Sequence, residues 1–209
     1  MTKQSERYKT VLASFEKYVP VAFSSYVTDL FFQAKVRFKI VASRKTKLGD
    51  FRPGISGQRD QITINGDLNP YAFLITTLHE FAHLFTYRTY QNRVLPHGEE
   101  WKESFRTLLL PVINSGELPQ DIAVALRNYL VQTKASSCSD HGLYRTLLRY
   151  DKPNEQETLL EELPINCFFL LNGRKFKKGA LRRKRFLCEE ISTKKSYLVN
   201  ALAKVKQID

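Results

Sequence analysis

The chain has 209 residues, 43% of them hydrophobic, and a formal net charge of +12, which suits one folded domain with at most a small appendix. No apolar run is long enough for a membrane span, and the N-terminus lacks the apolar segment of a secretion signal. Three cysteines, Cys138, Cys167 and Cys188, make a disulfide framework improbable because they are sparse and odd in number. We therefore expect a cytoplasmic protein.

The first part of the chain predicts helices followed by short strands. Apolar residues recur at helical spacing through residues 3–34, with Pro20 at the start of a second segment. Residues 36–41 alternate apolar and polar side chains, and residues 61–65 form a second strand-like run before a turn. Residues 43–60 contain glycine, proline and charge, which indicates a hairpin connection or surface loops.

A long helix is predicted to begin at residues 69–70 and to end at residues 87–90. It carries the motif H-E-F-A-H, in which His79 and His83 lie one turn apart on the same face and Glu80 follows the first histidine. Two imidazoles so placed can bind one zinc ion, and the carboxylate can accept and donate a proton. The alternative interpretation is an ordinary pair of histidines that hydrogen-bond to neighbouring groups.

His97 is the candidate for a third ligand. The chain has four histidines, and three of them fall within nineteen residues. The thirteen residues between His83 and His97 allow His97 to return at the start of the next helix. Three protein ligands leave the fourth position of zinc for water, as in a catalytic zinc site. Glu99 and Glu100 are next in line as the third ligand, but both are more simply acids at a helix N-terminus.

The chemistry predicted for this set is hydrolysis by zinc-activated water. Zinc lowers the pKa of bound water from about 15.7 to about 7, so hydroxide becomes available near neutral pH. Glu80 would accept the water proton and pass it to the leaving amide nitrogen. Zinc would stabilise the oxyanion that forms from the scissile carbonyl. A second hydrogen-bond donor to it could be any of four residues, Tyr87, Arg88, Tyr90 and Arg93.

These residues resemble the SprT-like zinc metalloprotease family, to which the DNA–protein crosslink protease Spartan belongs. The resemblance covers roughly residues 5–130 and is carried by the motif at residues 79–83, His97-Gly98 with Trp101, residues 46–51 and the strand at 62–65. It implies an α+β fold, with a zincin-like helical domain and a small antiparallel sheet beside the motif helix.

The family resemblance also implies a function. It implies one catalytic Zn²⁺ ion held by His79, His83 and His97, with Glu80 as the catalytic residue. It further implies a metallopeptidase that acts on DNA-associated proteins, in DNA–protein crosslink repair or a stress response. We also hypothesise that an exposed strand edge near the motif helix holds the peptide substrate by strand addition.

The composition of the chain changes near residues 133–140, which predicts a metallopeptidase domain at 1–133 and a basic β module at 134–209. Before the change, helices are predicted from residue 99 and over residues 118–130; after it, residues 151–162 are acidic and indicate a loop or a short helix. Three strand-like runs follow, at residues 166–171, 184–188 and 196–199.

SprT-like proteins often carry a C-terminal zinc ribbon with two cysteine pairs, and this chain departs from that pattern. It contains no C-x-x-C. A Cys₃His site formed by the three cysteines and His141 is an alternative, but the cysteine spacings have no zinc-knuckle signature. We expect the module to resemble a degenerate zinc ribbon without metal.

The basic charge of the chain is concentrated near its C-terminus, where residues 172–209 contain twelve Lys or Arg and three acids. Such clustering favours nucleic acid as a partner, although a solvated basic surface is the simpler alternative. The candidate contacts are Arg174, Lys175, Lys177, Lys178, Arg182, Arg183, Lys184 and Arg185. Phe176 or Phe186 could stack on bases, but core packing is the simpler interpretation of both.

Three functions follow from the sequence. The first is a zinc metalloendopeptidase that acts on protein substrates bound to DNA. The second is a nucleic-acid-associated accessory protein that binds zinc with little or no proteolysis, and the third is a zinc hydrolase that acts on other bonds. Glu80 favours an enzyme, because a purely structural zinc site needs no carboxylate there.

Overall fold

The computed structural model describes residues 3–44, 46–131 and 141–208. The chain divides into two compact units, residues 1–151 and 152–209. This division lies later than the predicted change at residue 133, because the helix His141–Leu148 packs on the helix that ends at Val131. The predicted boundary itself and Cys138 lie outside the described residues. None of the helices described is long and apolar enough to cross a membrane.

Helices dominate the first unit. Their bounds are α1 Lys3–Phe15, α2 Ser24–Ala34, α3 Pro70–Tyr90, α4 Glu99–Asn114, α5 Gln120–Val131 and α6 His141–Leu148. The predicted helical region at residues 3–34 is thus two helices, and Pro20 stands just before the 3₁₀ turn that leads into α2. The predicted start and end of the motif helix are confirmed.

A three-stranded sheet accompanies these helices: β1 Arg37–Val41, β2 Gly49–Arg52 and β3 Gln61–Asn65, in the order β1-β3-β2. The prediction of an antiparallel sheet is wrong for one of its two pairs, because β1 and β3 are parallel while β2 and β3 are antiparallel. Strand β2 arises within residues predicted as loop or hairpin connection. The chain reverses direction between β1 and β2 and again between β2 and β3, so β3 runs parallel to β1.

Helix α3 runs through the core of this unit and contacts α4, β2 and β3. Its first turn is capped by Asn69, whose Oδ1 accepts hydrogen bonds from the N–H groups of Tyr71 and Ala72 at 3.1 and 2.9 Å. The apolar side chains of Phe73, Leu78 and Phe81 are fully buried. A capped helix with a buried apolar surface is a rigid support for the histidines that it carries.

The second unit is a β module, as predicted, with further strands beyond the three predicted runs. Its strands are β4 Thr158–Leu159, β5 Phe168–Leu171, β6 Arg174–Arg182, β7 Arg185–Glu190, β8 Ser196–Asn200 and β9 Lys204–Ile208. They form one antiparallel sheet in the order β4-β9-β5-β6-β7-β8. Phe169, Phe176, Phe186 and Cys188 belong to its core, so core packing is the confirmed interpretation of the two aromatic residues.

One ion-pair network in this module gives a pH prediction. The Glu190 carboxylate, 5% exposed, accepts hydrogen bonds from Arg174 and Thr193, and the Arg174 bond is the main cause that lowers the pKa of Glu190 to about 2. Because this folded-state pKa lies below that of an unfolded glutamate, about 4.3, the network stabilises the fold above that pH and its contribution disappears as pH falls toward 2. Thermal unfolding of the parent and Glu190→Gln should therefore differ most near pH 6 and converge near pH 2. A difference that stays constant with pH would contradict this assignment.

Candidate metal centre

Three imidazoles converge at one point of the first unit. The Nε2 atoms of His79 and His83 lie 3.1 Å apart, those of His83 and His97 3.0 Å apart, and those of His97 and His79 3.2 Å apart. His79 is buried and the other two are half-buried. The three candidate ligands predicted from the sequence are therefore brought together.

Hydrogen bonds between the three rings cannot satisfy all three Nε2 atoms. Each Nε2 faces two others, and a neutral imidazole nitrogen either donates one proton or accepts one. Tetrahedral zinc with Zn–N distances of about 2.0–2.1 Å places pairs of ligand nitrogens about 3.3 Å apart, close to the observed separations. The donor set and its geometry fit a metal ion. Among the described residues this is the one group of ligating side chains found to do so, and Cys167, Cys188 and His141 are not part of it.

Burial keeps these imidazoles neutral. Desolvation, with a smaller contribution from the neighbouring histidines, lowers the pKa of His79 to about 2 and that of His83 to about 4. Desolvation also lowers the pKa of His97. A neutral imidazole offers a lone pair to a metal, whereas a protonated one repels it. At neutral pH all three rings are therefore in the form that binds a cation.

His97 reaches the centre through a tight turn between α3 and α4. The Gly98 N–H donates to the Leu95 carbonyl at 2.9 Å, and His97 itself has a φ of 60°. This left-handed conformation costs a residue with a Cβ roughly 1–2 kcal/mol, and such strain clusters at functional sites. Glu99, the alternative ligand, is exposed and pairs with Lys102 at 2.6 Å.

Trp101, on the first turn of α4, packs against all three histidine rings. Its ring centroid lies 4.7 Å from that of His79, 5.2 Å from His83 and 4.6 Å from His97, and the side chain is 1% exposed. A rigid aromatic surface limits the rotamers of the three rings, which preorganises them for a metal. Sequence reasoning gave Trp101 a place in the family resemblance but no role.

Glu80 turns toward the edge strand β2. Its carboxylate is buried and accepts a hydrogen bond from the backbone N–H of Phe51. Burial, followed by the charge of Asp50, raises the pKa of Glu80 to about 8, whereas Arg44 and Lys47 act in the opposite direction. A cation held by the adjacent histidines would favour the carboxylate form and lower this pKa. Sequence reasoning missed the contribution of Arg44, which is remote from the motif in the chain.

Gly49 leaves no room for a side chain beside Glu80. A Cβ at this position would lie 2.5 Å from Glu80 Oε1 and 2.8 Å from both Glu80 Cγ and Thr76 Cγ2. Gly49→Ala should therefore displace Glu80 or β2, with a loss of stability of roughly 1–3 kcal/mol. Thermal unfolding and metal titration of this variant test the contact. Gly57→Ala is the control for metal binding, because its Cβ would meet nothing within 4 Å and its cost is limited to the positive φ; an equal loss of metal affinity in both variants would contradict the steric account.

Of the four candidates for the second oxyanion donor, Tyr87 lies beside the centre. It lines a cavity together with His83 and Trp101. Arg88 is bound to Asp60 at 2.8 Å, and the side chains of Tyr90 and Arg93 are exposed. The structure thus favours Tyr87 for contact with a molecule bound next to the histidines.

The predicted nucleic-acid contacts divide into two groups. The prediction for Lys178 is wrong: the side chain is 2% exposed, its Nζ donates to the Leu163 carbonyl, and it lies 3.9 Å from the centre of the Phe186 ring. Strand alternation points it into the core, which counting charges cannot detect. The remaining candidates are exposed, although Arg174 is engaged with Glu190: Arg174, Lys175, Lys177, Arg182, Arg183, Lys184 and Arg185.

The four consecutive basic residues 182–185 form the tip of the β6–β7 hairpin. Arg182 and Arg185 are directly paired across the strands, and Arg183 takes a left-handed conformation in the turn. This basic hairpin tip is the densest positive surface of the predicted set.

Comparisons of the chain with protein-family models, with curated proteins and with solved structures found no match. The resemblance to SprT-like proteases therefore rests on the motif residues and their spacing.

Proposed function

We propose that this protein is a zinc-dependent metallopeptidase of SprT-like type. The observation that carries the proposal is the convergence of three neutral Nε2 atoms within 3.2 Å of one another, with the buried carboxylate of Glu80 next in the chain to the first of them. His79, His83 and His97 would hold one zinc ion. When bound, zinc would supply Lewis acidity toward water and toward the scissile carbonyl.

Glu80 has the proton-transfer role in this mechanism. Its carboxylate accepts a proton from the attacking water and delivers it to the amide nitrogen of the leaving group. The Phe51 N–H fixes one side of the carboxylate, and Arg44 and Lys47 favour its charged form. Trp101 keeps the three imidazoles in place and Tyr87 contacts the substrate beside His83.

Metal analysis combined with a cleavage assay tests the proposal. We expect the purified protein to bind one zinc ion per chain and to cleave itself or an unfolded protein such as casein. The assay is run with and without single-stranded DNA, because activation by DNA would connect cleavage to DNA-associated substrates. Stoichiometric zinc without cleavage under either condition would overturn the peptidase proposal.

We further propose that the basic hairpin tip binds nucleic acid and brings the peptidase to proteins on DNA. Four Arg or Lys side chains within four residues, without an acid among them, make a strong local field for phosphates.

Alanine substitution of residues 182–185 should weaken binding to single-stranded DNA and flatten its salt dependence. Each lost phosphate contact lowers the slope of log K against log salt by about 0.7, so we expect a decrease of roughly 1–3. The control replaces four exposed basic residues elsewhere, Lys3, Arg7, Lys9 and Lys17, with the same change of net charge. If both quadruple variants lose the same slope, general charge rather than this hairpin attracts the DNA.

The alternative function is a nucleic-acid-associated accessory protein that binds zinc with little or no proteolysis. The observation that supports it is the three-imidazole group by itself, which can hold zinc whether or not Glu80 transfers a proton. The two functions differ in one result: a peptidase cleaves peptides in a zinc- and Glu80-dependent way, whereas the accessory protein does not.

A further inference from the structure

A cavity of about 220 Å³ opens directly beside the metal centre. Its wall is formed by β2, the C-terminal half of α3, the connection between α3 and α4, and Trp101. His83 belongs to this wall, so any molecule in the cavity lies next to an imidazole of the centre. The volume exceeds the roughly 150 Å³ of an engineered cavity that holds benzene, so a leucine or phenylalanine side chain can enter.

The wall of this cavity is uncharged. None of the described residues that line it is Asp, Glu, Lys or Arg, although such residues make up 26% of the chain. Its apolar part comes from Phe51, Pro53, Val94, Leu95 and Pro96. Leu95 is 77% exposed and extends the apolar surface beyond the cavity. A charged group that enters the cavity would lose hydration without gaining an oppositely charged partner in the wall.

We infer that the cavity receives an uncharged, bulky apolar or aromatic side chain of the peptide substrate, next to the bond that is cleaved. This inference rests on the proposed peptidase function and adds a substrate class to it. Burial of such a side chain should favour leucine or phenylalanine over aspartate or lysine at one position of the substrate by roughly 10- to 100-fold in kcat/KM.

Binding can be measured independently of cleavage, because Trp101 is the single tryptophan of the chain. The zinc-loaded protein is titrated with the N-acetyl amides of leucine, phenylalanine, aspartate and lysine while tryptophan fluorescence is recorded. We expect saturable changes with the first two, and at least tenfold weaker binding of the charged pair. A peptide series that varies one residue beside the scissile bond then gives the preference in kcat/KM.

A substitution that places a charge in the cavity wall is the most informative variant. Val94→Glu should reduce the preference for leucine at least tenfold and raise the relative rate for lysine, because the new carboxylate can pair with its ammonium group. Val21→Glu is the matched control, since Val21 is 69% exposed and does not line the cavity. Circular dichroism of both variants verifies that they are folded.

The possible outcomes distinguish the peptidase proposal from the inference about the cavity. Selective binding of the apolar amides without any cleavage supports the cavity as a recognition site and overturns the peptidase function. Cleavage that does not discriminate among leucine, aspartate and lysine, with unchanged tryptophan emission, overturns the cavity inference and leaves the peptidase function standing. Absence of both binding and cleavage overturns both.

Discussion

Glu80→Gln should retain zinc and lose about 10²- to 10⁴-fold in the rate of peptide cleavage. The change removes the group that exchanges a proton with water and with the leaving nitrogen, while the histidine ligands stay intact. Glutamine has nearly the same shape, and its carbonyl oxygen can still accept the hydrogen bond from the Phe51 N–H. We therefore expect a folded protein with unchanged zinc content and little activity. The measurement is kcat/KM on a casein-derived peptide, together with zinc analysis of the same sample.

Glu103→Gln is the matched control for this experiment. Glu103 lies on α4 with its side chain 73% exposed, and it forms a long ion pair with Arg106 at 3.7 Å. This control should keep full zinc and full activity. If Glu80→Gln retains cleavage, Glu80 is not the proton-transfer group and the proposed mechanism is wrong.

Alanine at His97 should abolish tight zinc binding. Loss of groups that only support a ligand typically costs 10- to 100-fold in metal affinity, so we expect loss of the ligand itself to cost more than about 100-fold. In the parent, zinc at 100 times its Kd would stabilise the fold by about 2.7 kcal/mol, which raises Tm by roughly 5–10 °C for a protein of this size. The variant should show no such rise. Zinc content after dialysis and Tm with and without zinc are the two measurements.

His83→Ala should behave as His97→Ala does, whereas His141→Ala should behave as the parent. His141 is the fourth histidine of the chain and is not part of the three-imidazole group. Full zinc content in His97→Ala would mean that another residue supplies the third ligand. Equal loss of zinc in His141→Ala would mean that the centre differs from the one described.

Local sequence predicted the parts of the molecule that depend on local periodicity. The spacing of His79 and His83 places them on one face because an α-helix has 3.6 residues per turn, whatever the surroundings. The strand-like runs after position 166 likewise predicted a β module with strands β5, β7 and β8, although β4, β6 and β9 were not predicted. By contrast, residues 49–52 have no apolar alternation, and they become a strand because they pair with β3 and contact the motif helix.

In the candidate site, too, some features follow from local sequence and others from tertiary contacts. The three-histidine group was predicted because histidine is rare in this chain and these three are closely spaced. Gly49, Arg44 and the cavity wall were not, because their relation to Glu80 or His83 exists only once β2 and the α3–α4 connection are folded against the motif helix. Lys178 was misassigned because residues 174–182 were not predicted as a strand, so its position on the same buried face as Phe176 was missed.

The sequence by itself thus determined which side chains can hold a metal and which carboxylate accompanies them, because helical geometry fixes neighbours three and four residues apart. Only the tertiary structure decided that His97 returns to this pair, that Glu80 is buried against β2, and that an uncharged cavity adjoins His83. These features depend on contacts between residues distant in the chain. Such contacts are set by packing of the whole unit rather than by the propensities of any one segment.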